Sequence, residues 1–182
     1  YCRLLAESVR ELKGEAPVEE FDTVVELPVT AFLPDTYVSD PEEKVRLYHL
    51  LARVTDVRAV DEVADELRDR FGAPPAPVEM LLAVARVRAY ARGLRIKSIN
   101  TQGRWCRLVL GENHCLDGGR LATVLARYPG RVRFKEGESG FEIWLRFDQV
   151  ENDSGMIRDL ESFLANISQV PEGQISEGHR RH

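Results

Sequence analysis

Apolar residues recur along this chain with two different periods, and the change of period divides it. In the first half the spacing is helical. Leu4, Leu5, Val9 and Leu12 share one face of a short arm that stops at Gly14, and a polar stretch with Pro17, Glu19 and Glu20 follows. Thr23 to Leu33 is rich in Val, Leu and Phe but is interrupted by Pro28, which predicts a strand that lies at a sheet edge or bends there. Asp40-Pro41-Glu42-Glu43 combines an N-cap, a proline at the first helical position and a glutamate able to reach back to the cap. A helix therefore starts there, with Val45, Tyr48, Leu51 and Ala52 as its apolar stripe. A second helix, capped by Asp56, ends at Phe71 before Gly72, and a third, Val78 to Arg92, follows Pro74, Pro75 and Pro77. The third has two apolar faces, one with Val78, Leu81, Leu82 and Ala85 and one with Met80, Val84, Val87 and Ala91. It is predicted to be covered on most sides at the centre of the fold.

The second half alternates at the period of strands. Arg95–Ile99 and Arg104–Leu110 form a hairpin around Gln102-Gly103, Asp117–Tyr128 a helix, Arg131–Lys135 and Phe141–Phe147 a second hairpin, and Ser154–Ile167 a last helix. Trp105 and Trp144 alternate with apolar neighbours on these strands, so core or interface packing is expected of them rather than base stacking. The predicted fold is α+β: an N-terminal helical arm, an edge strand and three packed helices, then a ββαββα unit. The expected organisation is an arm and linker from a larger parent at 1–20, one α+β domain over 21–168, and a flexible tail at 169–182.

Composition refines this picture. With 182 residues, 43% hydrophobic and 30% charged, the chain can bury a real core. No apolar run approaches the roughly 18 residues of a membrane span, and no basic-then-apolar leader opens the sequence, so no membrane partner and a cytoplasmic location are expected. Cys2, Cys106 and Cys115 are an odd set without a CxxC pair, which points to free thiols and not to a disulfide framework or a zinc site. The net charge of -5 comes from the first half: residues 1–95 hold 18 acidic and 13 basic side chains, residues 96–182 hold 12 of each.

That acidity concentrates on the second helix. Val60, Val63, Ala64, Leu67 and Phe71 form its apolar face, and Glu62, Asp65, Glu66 and Asp69 gather opposite, flanked by Arg70. Like charges three and four residues apart destabilise an isolated helix by roughly 0.2–0.5 kcal/mol per pair, unless cations come to them. A solvated face and a docking site for arginines from another surface both fit this stripe. An acid/base catalytic pair is a third reading, disfavoured because neighbours on one exposed face share the same water, which does not separate their pKa values.

Other constellations carry less chemistry. Arg86, Arg88, Arg92, Arg95 and Lys97 form a basic run, suited to acidic surfaces of the same domain or, as the alternative, to a phosphate backbone. Asp117-Gly118-Gly119 opens a helix and reads as a cap, since neither GxxxxGK[ST] nor GxGxxG occurs. His49, His114, His179 and His182 lie in no metal-ligand spacing, and no serine sits in GxSxG. No metal, no cofactor and no catalytic residue is expected.

Tyr1-Cys2-Arg3-Leu4-Leu5, the run Ala31-Phe32-Leu33-Pro34-Asp35-Thr36-Tyr37-Val38, Arg46-Leu47-Tyr48, Glu66-Leu67-Arg68-Asp69-Arg70-Phe71-Gly72 and Pro75 before a helix resemble, in order and spacing, the C-terminal domain of the bacterial transcription-repair coupling factors. The resemblance is specific to about Ile99 and loose beyond. It implies an ATP-dependent DNA translocase as the parent, one that displaces stalled RNA polymerase and recruits the excision-repair protein UvrA. It implies that this domain is a non-catalytic autoinhibitory clamp on the parent's own N-terminal UvrA-binding module, with Glu66 and Asp69 facing arginines there and Glu62 and Asp65 in support. A domain that itself touches DNA or RNA polymerase is the alternative.

Overall fold

A computed structural model describes residues 23–112, 114, 116–148 and 152–168. The expected arm at 1–20 and tail at 169–182, with Cys2, His179 and His182, lie outside the described residues, as does Cys115. The elements run β1 (Val24–Glu26), α1 (Pro41–Arg53), α2 (Val57–Phe71), α3 (Ala76–Gly93), β2 (Ile96–Gln102), β3 (Trp105–Leu110), α4 (Gly118–Arg127), β4 (Val132–Gly137), β5 (Gly140–Arg146) and α5 (Asp153–Ser168). The fold is α+β in the predicted order.

Caps explain the helix starts. Asp40 accepts from the Glu42 amide, Asp56 from Ala59 and Asp117 from Arg120, each satisfying a donor that the first turn cannot. Glu43 does not close a capping box as expected; its carboxylate turns instead to Arg46 and Arg70. Gly72 ends α2 at φ +86°, a conformation that a side chain would resist.

The strand expected over Thr23 to Leu33 shrinks to three residues, because Pro28 cannot donate to the ladder. It does lie at an edge. The sheet order is β1-β2-β3-β5-β4, with β1 parallel to β2 and the other pairs antiparallel.

Two apolar cores flank α3. On one side Val78, Leu82, Ala85 and Ala89 meet Leu33, Val38, Leu47, Leu51, Val60, Val63 and Leu67. On the other, Met80, Ala83, Val87 and Ala91 meet the sheet through Ile99, Cys106, Leu108, Ile143 and Leu145, together with α5 through Met156, Leu160 and Phe163. The two-faced helix predicted from its sequence is thus the wall shared by both. The stripe expected on α1 is rotated: Leu47 and Leu51 are buried, whereas Val45, Tyr48 and Ala52 are exposed. Tyr48 is kept outward by a polar task, its hydroxyl accepting from the Leu33 amide at 2.8 Å. Among the described residues no helix is long and apolar enough to cross a membrane.

Candidate partner-binding site

The acidic helix α2 is fixed from two directions. Val60, Val63, Ala64 and Leu67 anchor its inner face in the core. Its C-terminal end is held by Tyr37, whose hydroxyl donates to the carbonyls of Leu67 (3.1 Å) and Gly72 (2.8 Å) while its ring packs against Phe71. Arg70 lies over the other partner of that pair, 4.8 Å from the Phe71 ring centre. Two sequence runs more than twenty residues apart, one around Pro34 to Val38 and one from Glu66 to Gly72, therefore form a single corner.

On the outer face the four predicted carboxylates do not behave alike. Glu66 is half-buried and already engaged: it accepts from Arg46 on α1 at 2.6 Å and from Arg70 at 3.3 Å. Glu43 on α1 completes the cluster by pairing with Arg46 at 2.7 Å and with Arg70. The Arg46 and Arg70 guanidinium groups beside Glu43 hold its carboxyl down at about 2, well below the usual carboxylate range. The same bonds push both arginines above their ordinary value, hydrogen bonding to Glu43 being the largest cause for each. Asp65 is exposed and only loosely paired with Arg68, at 3.5 Å. Glu62 and Asp69 are exposed and, among the described residues, make no ion pair.

The expected quartet is thus brought together on one face, but in two states. Glu66 is a structural bridge between α1 and α2 with Arg70 as its support, and Glu62, Asp65 and Asp69 form an outward ridge of free or weakly held charge. Sequence reasoning missed Glu43 and Arg46. Their own spacing, three residues apart on one helix, signals a local pair; that the pair lands on Glu66 depends on how α1 crosses α2.

The basic run is mostly consumed inside the molecule. Arg86 pairs with Asp61 at 3.0 Å and lies 3.9 Å from Glu161. Arg92 donates to the carbonyls of Ala52 and Val54, the unpaired C-terminal end of α1. Lys97 donates to the Ser139 carbonyl. No cluster of three or more His, Cys, Asp or Glu able to hold a metal is found among the described residues. Burial pushes the thiol of Cys106 far up, so it is not a nucleophile at neutral pH. His114 accepts from the Leu116 amide and stacks on Phe141, a structural role.

A family model described as the TRCF domain matches residues 27–121, which include the Tyr37 corner, the α1–α2 cluster and the whole acidic ridge. The chain belongs to the TRCF domain family. The transcription-repair-coupling factor of Bacillus subtilis is 34% identical over 135 residues, 72% of this chain and 12% of that protein. That of Myxococcus xanthus is 30% identical over 168 residues, 92% of this chain and 14% of that protein. That of Escherichia coli is 29% identical over 138 residues. This TRCF domain thus spans only 12–14% of the length of such relatives. Its fold is that of a crystal structure described as the C-terminal domain of transcription-repair coupling factor, with a TM-score of 0.71 at 20% identity over 86% of this chain and 99% of that one.

Proposed function

We propose that this TRCF domain is a non-catalytic, autoinhibitory C-terminal domain, and that its α2 face covers the UvrA-binding module of the parent translocase. The observation that carries this reading is the ridge itself. Glu62, Asp65 and Asp69 stand outward on a helix whose other sides are pinned, so the charge is presented rather than mobile. Arginines on the covered module would meet these carboxylates in forked pairs. Glu66, already shared between Arg46 and Arg70, adds part of its charge and holds the ridge in place.

The energetics suit a switch. An exposed ion pair contributes roughly 0–1 kcal/mol, so several must act together. Reversing a two-state balance from 1:99 to 99:1 takes about 5.5 kcal/mol, which a contact of this kind can yield to when the parent engages polymerase. The alternative, an adaptor that touches DNA or RNA polymerase through the basic run, is less well supported. Arg86, Arg92 and Lys97 would first have to give up their internal partners.

The internal pairing of Glu66 decides which residues to reverse. Reversing Glu66 would also break the α1–α2 bridge, whereas Glu62 and Asp69 can be reversed without touching any described ion pair. In the intact parent, E62R/D69R is expected to expose the module and tighten UvrA binding. Unchanged UvrA affinity in a folded variant would reject the assignment.

A further inference from the structure

The sheet face turned away from the helices carries a second surface, independent of the acidic ridge. In register, Trp105 lies opposite Arg146, Arg107 and Arg133 flank Trp144, and Lys135 lies opposite Glu142. Residues directly opposite on neighbouring strands point to the same side. Their in-sequence neighbours Cys106, Leu108, Ile143 and Leu145 point into the core. Trp105 and Trp144 are therefore not core residues; they stand half-exposed on the outer face.

Trp105, Arg133, Phe134, Lys135 and Trp144 line a concavity of about 370 Å³, at the lower end of the roughly 300–1,000 Å³ typical of ligand pockets. Its floor is built. Glu142 is buried, accepts from Arg107 at 2.6 Å and from the Trp144 indole Nε1 at 2.9 Å, and so locks one indole in place. Gly137 makes room for it, since a Cβ there would collide with the Glu142 carboxylate. Its charge is used up by Arg107. Among the described residues, the exposed cations Arg133, Lys135 and Arg146 make no ion pair. Arg133 lies over the Trp105 ring, 4.8 Å from its centre, a stacking that leaves the N–H edge of the guanidinium free for a carboxylate fork.

We propose that this face binds a short acidic peptide segment of a partner protein, with one apolar side chain between the indoles and carboxylates on Arg133, Lys135 and Arg146. Charge complementarity selects the occupant. A nucleic acid offers negative charge too, but stacking successive bases needs open ring faces, and Arg133 covers one face of Trp105. The chain as a whole carries a charge of -5, which repels a polyanion over a distance more than it repels a peptide of a few charges.

Trp105 and Trp144 are the two tryptophans of the sequence, so intrinsic fluorescence reports on this face. The full chain is titrated with three capped pentapeptides, each with four Asp or Glu residues around one Leu, Ile or Phe, and with a single-stranded oligothymidylate of similar length. At least one peptide is expected to give a saturable spectral change, weakened roughly tenfold in R133E/K135E and less in R133Q/K135Q, which keeps the surface neutral should the reversal fail to fold. No saturable change with any peptide, affinity unaltered in R133Q/K135Q, or tighter binding of the oligonucleotide would each overturn the proposal.

Discussion

The helical half and the sheet half treat surface charge in opposite ways. Where α1 crosses α2, arginines and carboxylates of the domain meet each other, and the ridge beside them is left negative. On the outer sheet face the sole buried carboxylate among the described residues, Glu142, is neutralised from within, and the cations around it are left over. The contrast shows how an internal ion pair can prepare a binding face: it fixes the scaffold, and the unpaired charges next to it set the sign of the partner. It also explains why net charge is a poor guide, since residues 96–182, balanced at 12 acidic and 12 basic side chains, still gather cations on one sheet face.

The first way to strain this comparison is through the cores. Leu67 and Leu108 are fully buried, one in each cluster. Leu67→Ala and Leu108→Ala are each expected to cost about 2–5 kcal/mol in denaturant unfolding. Because α3 belongs to both cores, each variant should still unfold in one transition; two separated transitions would show that the halves are independent. Next in size is Glu142→Gln, which weakens charge-assisted bonds from Arg107 and Trp144 and should cost about 1.5–3 kcal/mol. Its effect should be accompanied by a change in indole fluorescence, and an unperturbed spectrum would argue against Glu142 as the brace of Trp144. Tyr37→Phe frees the carbonyls of Leu67 and Gly72 and should cost roughly 0.5–1.5 kcal/mol by thermal melting.

The smallest effect concerns pH. Glu43 has its folded-state pKa lowered to about 2 by Arg46 and Arg70. A lowered carboxylate pKa gives stability that is present above the ordinary value near 4.5 and is lost as pH falls toward 2. Glu43→Gln should flatten the acid limb of a melting-temperature profile across that window. An acid limb identical to that of the unaltered chain would mean that the α1–α2 cluster contributes nothing.

Much of the fold was legible because it rests on local chemistry. The caps at Asp40, Asp56 and Asp117, the stop at Gly72 and the two apolar faces of α3 each follow from side chains within a turn or two. The candidate ridge was legible for the same reason, as a property of a single helix. What depended on tertiary crossing was not: Arg46 reaches Glu66 only because α1 lies across α2, and α1 buries Leu47 instead of Val45 because its neighbours select that side. The tryptophans illustrate a third case. Trp105 is in phase with Arg107, and Trp144 with Glu142 and Arg146, whereas Cys106, Leu108, Ile143 and Leu145 hold the other phase. Phase with charged residues places both rings outward, an outcome that the expectation of core or interface packing left open.

The proposed autoinhibitory contact places the α2 ridge, and not the sheet face, against the UvrA-binding module. Titrating the full chain against that isolated module by calorimetry, in low and high salt, tests it directly. The account predicts salt-sensitive binding that is abolished by E62K/D69K and untouched by R133Q/K135Q. Binding that survives E62K/D69K, or that is lost in R133Q/K135Q instead, would contradict it.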